Sequence, residues 1–177
     1  MTRAAKDRKI ILLRHAFAGD GSGADHEREL TVHGHVQAAA VGRWLHEHAI
    51  GIDEVLCSTA IRARQTAEGV WEGGCPEADV RFDKRIYNAA PEQLLNVLRE
   101  ADEDANVVML VGHAPGVPAL ASVLADGEGS AAAHRALAQG WPAGAVGVLT
   151  YQGAWGDLDA GTATLTKFHR TGADGTD

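Results

Sequence analysis

Two histidines lie where apolar, β-rich runs end: Leu12-Leu13-Arg14-His15 and Leu110-Val111-Gly112-His113. Each reads as a strand that delivers an imidazole to a crevice. The first is preceded by an arginine, and the second is followed by Ala114-Pro115-Gly116, a loop into a helix N-terminus. A third junction, after Val55-Leu56-Cys57, supplies Ser58 and, in the first turn of the next helix, Arg62. In parallel sheets such junctions share one edge, so groups distant in sequence meet there, and helix N-termini add backbone N–H donors. The residue types suit phosphoryl transfer. A neutral imidazole can attack phosphorus to form a phosphoramidate that water later hydrolyses, provided its other nitrogen is fixed by an acceptor such as a backbone carbonyl. Arginines clamp phosphoryl oxygens in a planar fork, and one such residue can be worth on the order of 10³-fold in rate. A second imidazole, if protonated, stabilises the charge of the transferring group. A lone arginine or histidine at a strand end is ordinarily a solvated or capping residue. Three junctions with matched chemistry are not explained that way.

The elements that must position these groups alternate along the chain. Lys9–Leu13 reads as a buried strand, Gly19–Gly23 as a loop, and Thr31 as the N-cap of a helix. That helix shows one face of Val32, Val36, Ala40 and Trp44, widened by Val41 and Leu45. After the short strand Val55–Cys57, Ser58 or Thr59 caps a helix that carries Ile61, Ala63, Ala67 and Val70, broken at Gly73-Gly74-Cys75-Pro76. Val80–Phe82 is a further strand, Pro91 starts a helix, and Val107–Val111 is the most hydrophobic strand. Pro115–Leu124 fits a helix with proline in its first turn. Asp126–Gly140 holds at most a short helix, and Ala145–Tyr151 with Ala163–Phe168 reads as a closing antiparallel pair. Strands alternating with helices imply an α/β fold: a three-layer α/β/α sandwich with a mostly parallel sheet and an antiparallel edge. A flexible stretch over residues 1–8, one domain over 9–170 and a disordered tail over 171–177 are expected.

Composition narrows the partners. The 177 residues carry a net charge of −8, so nucleic acid and anionic membrane are not expected as partners. No apolar run approaches a membrane span, and the run after the basic N-terminus is too short for a signal-peptide core. Two cysteines, Cys57 and Cys75, form no disulfide framework, and the reducing cytoplasm is the default location.

The same residues resemble a known family. Leu13-Arg14-His15-Ala16 is similar to the Arg-His-Gly signature of the histidine phosphatase superfamily, and Ser58-Thr59-Ala60-Ile61-Arg62-Ala63-Arg64-Gln65-Thr66-Ala67 to its Ser-Pro-x-x-Arg-Ala-x-Gln-Thr-Ala segment. Val111-Gly112-His113-Ala114-Pro115 resembles its second histidine motif, and the resemblance runs to about Phe168. Asp25-His26-Glu27-Arg28-Glu29-Leu30-Thr31 resembles the Asp-x-x-Arg-x-Leu-Thr stretch of the short, SixA-like phosphohistidine phosphatase branch. The resemblance implies a phosphoglycerate mutase-like fold without an inserted helical subdomain. It also implies His15 as phospho-accepting nucleophile, with Arg14, Arg62 and His113 completing the phosphate pocket; Ser58, from the junction itself, is a further candidate phosphate contact.

The departures carry information. Ala16 replaces the signature glycine and Thr59 the usual proline. Near Asn88, within Arg85-Ile86-Tyr87-Asn88, no carboxylate stands where many phosphomonoesterases and mutases of the superfamily hold a proton-donating glutamate. An alkoxide leaving group gains on the order of 10²- to 10⁴-fold from a general acid, whereas a phosphorylated imidazole leaves more easily. The missing glutamate therefore favours phosphohistidine over sugar phosphates. Asp25 is the remaining acid candidate, or it caps a loop; Arg28 is its partner or a further phosphate contact.

Other signals are weaker. His46-Glu47-His48 and the pair His33 and His35 place histidines on different helix faces, so no metal and no cofactor are expected. Cys57 reads as a small buried thiol, and Trp44, Trp71, Trp141 and Trp155 as packing. Gly21-Ser22-Gly23 lacks the flanks of a phosphate loop. The leading expectation is a phosphatase acting through phosphohistidine on His15, on a phosphohistidine-bearing protein. A hydrolase of small phosphoesters or phosphoanhydrides, and a catalytically weak phospho-ligand binding module, are the alternatives. A mutase is disfavoured, since it needs the acid this chain lacks.

Overall fold

The structure, a computed structural model, describes residues 5–171. Strand β1 (Asp7–Arg14) sends Ile10 and Leu12 to one face and Ile11 and Leu13 to the other, all fully buried. Strand β4 (Val107–Gly112) does the same with Val108 and Leu110 against Met109 and Val111. Burying each such side chain contributes about 1.5–3 kcal/mol, which is why these strands read as continuous apolar runs and form the sheet centre. With β2 (Glu54–Cys57), β3 (Asp79–Phe82), β5 (Ala125–Gly129), β6 (Val146–Gln152) and β7 (Ala163–His169) they make a seven-stranded sheet in the order β3-β2-β4-β1-β6-β7-β5.

Strands β3, β2, β4 and β1 are parallel, while β6 runs antiparallel to both β1 and β7, and β5 pairs parallel with β7. The Ile11 and Leu13 face is covered by α1 (Val32–Glu47) and α2 (Ile61–Glu72). The Ile10 and Leu12 face is covered by α3 (Pro91–Arg99) and α4 (Gly116–Leu124), with α5 (Ala131–Ala138) packed on β7. This is the expected three-layer, mostly parallel α/β architecture, with no inserted subdomain. No helix of the described residues is long and apolar enough to cross a membrane.

Several local expectations are corrected. The inner face of α1 is Gly34, Ala38, Val41, Gly42 and Leu45, whereas Val32 and Val36 are 84% and 62% exposed. Helix α2 approaches so closely that a Cβ on Gly42 would sit 2.0 Å from the Val70 carbonyl oxygen, so small residues rather than large apolar ones mark the contact. Thr31 caps α1 as expected, accepting from the Gly34 N–H, but the N-cap of α2 is Ala60, with no side-chain cap. The segment after Leu124 forms β5 as well as α5, because backbone pairing with β7 does not need apolar side chains. Asp7 and Arg8, assigned to a flexible N-terminus, belong to β1: Asp7 pairs with Gln152, and buried Arg8 meets Glu103 at 2.6 Å. Thr171, assigned to the tail, is buried and donates to the Gly144 carbonyl. The rest of the expected tail, 172–177, and residues 1–4 lie outside the described residues.

Parallel pairing places the carboxyl ends of β1, β2 and β4 together, with Arg14 opposite Gly112 and Cys57 opposite Val111. At the amino ends, on the far edge of the sheet, Asp53, Glu54, Asp79, Asp102 and Asp104 line a shallow acidic cavity.

Candidate active site

His15 is the first residue beyond β1, and its N–H still donates to the Gly112 carbonyl at 3.0 Å, so it stands beside His113 at the end of β4. The two rings lie 5.1 Å apart, both buried. His15 Nδ1 meets the Ala16 carbonyl at 2.7 Å. A carbonyl only accepts, so Nδ1 carries the proton and Nε2 keeps its lone pair. Arg62 Nε–H donates toward that lone pair at 3.4 Å. Burial, opposed by the Ala16 carbonyl and reinforced by Arg62, Arg14 and Arg28, lowers the His15 pKa to about 4. At neutral pH the ring is therefore an uncharged imidazole with an unprotonated Nε2 beside Arg62, the form a nucleophile requires.

The loop that follows is tied to α2. The Ala16 N–H donates to Thr66 Oγ1 at 3.0 Å, and that hydroxyl donates to the Arg62 carbonyl at 2.6 Å. Gln65 Oε1 accepts from the Leu30 N–H at 2.8 Å. Gln65 and Thr66 thus hold the His15 loop against the helix that carries Arg62. Arg62 extends its guanidinium to Asp25, Nη1 donating to the backbone carbonyl at 2.7 Å and Nη2 to Oδ2 at 3.1 Å.

Asp25 also receives Arg28 Nε at 3.0 Å and the Tyr87 hydroxyl. The Tyr87 hydroxyl first, then Arg62 and Arg28, hold its carboxyl down at about 2. These contacts favour the ionised carboxylate, so Asp25 stands here as an acceptor for Tyr87, Arg62 and Arg28 rather than as a poised proton donor. It does not cap the turn either, since the residue before Asp25–Glu27 is Ala24 and no side chain bonds there. Arg28 is its partner, and also donates to the Gly19 carbonyl at 3.3 Å.

Arg14 donates Nη1 to the Trp141 carbonyl at 2.8 Å, while its buried Nε has no partner among the described residues. His113 bonds Ser58 Oγ through Nε2 at 2.7 Å, and its buried Nδ1 likewise has no partner among the described residues. Burial, with His15 and Arg62 nearby, lowers His113 to about 3, so the second imidazole is neutral here rather than protonated. Ser58, expected beside the phosphate, has its buried hydroxyl engaged by His113 and the Ala60 N–H.

The structure therefore brings His15, Arg14, Arg62, His113, Ser58, Asp25 and Arg28 to one edge. It adds groups the sequence reading missed. Tyr87 lies edge-on to His113 at 5.5 Å and to His26 at 4.9 Å, and His26 Nε2 meets Thr59 Oγ1 at 2.8 Å. The signal for Tyr87 was its place next to Asn88, which is exposed with φ 53° and brings no carboxylate. Cys57 and Cys75 are free and buried, the Cys57 thiol pushed up to about 12 by burial. Among the described residues no group of three or more His, Cys, Asp or Glu is arranged to hold a metal ion. A neutral nucleophile among guanidinium and N–H donors can accept a phosphoryl group.

Known proteins resemble this chain in sequence and in fold. The model of the histidine phosphatase superfamily (branch 1) matches residues 10–90. An uncharacterized protein of Mycobacterium tuberculosis is 36% identical over 161 residues, covering 89% of this chain and 98% of that one. Phosphohistidine phosphatase SixA of Escherichia coli is 28% identical over 130 residues, 68% of this chain and 76% of its own. A solved structure bearing the SixA name, from Nakamurella multipartitia, superposes with TM-score 0.85 at 35% identity, covering 97% of this chain and 100% of that one.

Proposed function

The chain belongs to the histidine phosphatase superfamily, and from that premise we propose that it is a phosphatase working through a covalent phosphohistidine on His15. The observation that carries this reading is the His15 ring itself, neutral, with Nδ1 spent on the Ala16 carbonyl and Nε2 open beside Arg62. In the first step His15 Nε2 forms a bond to phosphorus while the bond from phosphorus to the leaving group breaks. Water then attacks phosphorus, the Nε2–P bond breaks, and inorganic phosphate leaves with His15 regenerated. Arg62, Arg14 and the Nδ1 of His113 are the groups available to the phosphoryl oxygens.

We further propose a phosphohistidine-bearing protein as the favoured substrate. Neither Asn88 nor the ionised Asp25 can protonate an alkoxide, and an imidazole leaving group has far less need of such help. The name SixA, borne by relatives of this chain, supports the same choice. The free thiols of Cys57 and Cys75 fit a reducing cytoplasm as the location.

The test is a quench experiment with a phosphohistidine protein and a panel of small phosphoesters, run in excess chelator. Acid-labile phosphate on His15, lost in His15→Ala, is the expected result. Turnover of esters far above phosphohistidine would overturn the substrate. Binding without turnover, unchanged in His15→Ala, would instead identify a phospho-ligand module.

A further inference from the structure

Ser58 is fully buried, and its hydroxyl has a single proton to place. The Ala60 N–H already donates to Oγ at 3.2 Å. The other group in hydrogen-bond reach of Oγ, among the described residues, is His113 Nε2 at 2.7 Å. A hydroxyl shut away from water must donate its proton or forfeit a hydrogen bond, and only Nε2 stands ready to accept. A ring nitrogen that accepts is unprotonated, so a neutral His113 must carry its proton on Nδ1. That Nδ1 is buried and has no partner among the described residues.

We infer that Ser58 is a positioning residue that fixes His113 in its Nδ1–H tautomer, so that His113 serves the phosphoryl group as a neutral hydrogen-bond donor. An imidazolium would need Nε2–H to donate to Oγ, leaving the Ser58 proton with nowhere to go. The surroundings act in the same direction: burial first, and the Arg62 guanidinium, oppose positive charge on this ring, while Asp25 favours it. A neutral imidazole as electrophilic donor has precedent in triosephosphate isomerase, where the environment keeps the ring uncharged. The donor is then present throughout the pH range in which an ordinary imidazole titrates.

What the proton is donated to rests on the phosphatase reading; the tautomer does not. The experiment is ¹⁵N–¹H correlation NMR on ¹⁵N-histidine-labelled protein at pH 7, alone and with inorganic phosphate. For the wild type, His113 should show a protonated Nδ1 and a bare Nε2 in both samples. Ser58→Ala should show the two tautomers mixed, and kcat should fall on the order of 10-fold as the donor becomes only partly available. A wild-type His113 with its proton on Nε2, or an imidazolium in the phosphate sample, overturns the inference. So does a Ser58→Ala protein that keeps the pure Nδ1–H form. The wild-type spectrum decides even if that variant folds poorly. Failure to label His15 with phosphate would instead sink the phosphatase reading and leave the tautomer standing.

Discussion

One carboxylate at the mouth of the site, Asp25, faces a phenol and two guanidinium groups, and it is half exposed at 52%. It holds the outer edge of Arg62 through Nη1 and Nη2, and the Nε of that guanidinium faces His15. Asp25→Asn should therefore lower kcat/KM about 10-fold by loosening Arg62, comparable to the loss of one positioning contact. The fall should be uniform across pH, because a carboxylate held at about 2 does not titrate in the working range. A steady-state pH profile that loses its basic limb in this variant would restore the acid role. Arg62→Ala should cost more, on the order of 10³-fold, by the reasoning that applies to arginine fingers. That His15, Arg14, Arg62 and His113 meet at one edge was legible because three strand ends carry matching chemistry, a coincidence that no single residue would have signalled. Trp141 and Tyr87 were not. The first contributes only a backbone carbonyl to Arg14, and the second a phenol reaching in from a turn, and neither leaves a pattern in the chain.

At the level of elements, the placement of Arg62 depends on how α2 lies against α1. That contact is made of glycine and alanine: besides Gly42, a Cβ on Gly69 would come within 2.5 Å of the Ala38 side chain. Gly42→Ala should push the helices apart and destabilise the protein by about 1–3 kcal/mol, as overpacking does. Urea unfolding measures this, and an unchanged midpoint would show that the contact yields easily. The strands β1 and β4 were readable from their unbroken apolar runs. The inner face of α1 was not, since a helix seated through Gly34, Ala38 and Gly42 carries little hydrophobic signal, and Val32 and Val36 point the reading to the exposed side. Strand β5, Ala125–Gly129, escaped for a related reason: it is polar, exposed and held by backbone pairing to β7.

For the whole molecule, two buried neutral histidines link stability to pH. With folded values near 4 for His15 and 3 for His113, below the ordinary 6.5, the unfolded chain binds more protons once the pH falls below about 6.5. Stability is then fully present above 6.5 and is lost as the pH drops from there toward 4. Each histidine contributes a slope of up to about 1.4 kcal/mol per pH unit. Denaturant midpoints at pH 7, 6 and 5 should decline, and His15→Ala should flatten the decline; equal slopes would show that His15 is not desolvated as described. The acidic cavity at the amino ends of the strands acts over a longer range. Asp53, Glu54, Asp79, Asp102 and Asp104 lie at the amino ends of the strands, the edge opposite Arg14 and Arg62, with Lys6 and Arg81, 3.9 Å from Asp104 and Glu54 respectively, offsetting part of that charge. We predict that an anion is captured faster at the arginine edge than unguided collision allows when salt is low, as expected if the charge distribution orients its approach. Such guidance fades as salt shortens the Debye length to about 10 Å at 0.1 M, and the rate of capture becomes a property of the whole charge distribution rather than of the pocket alone.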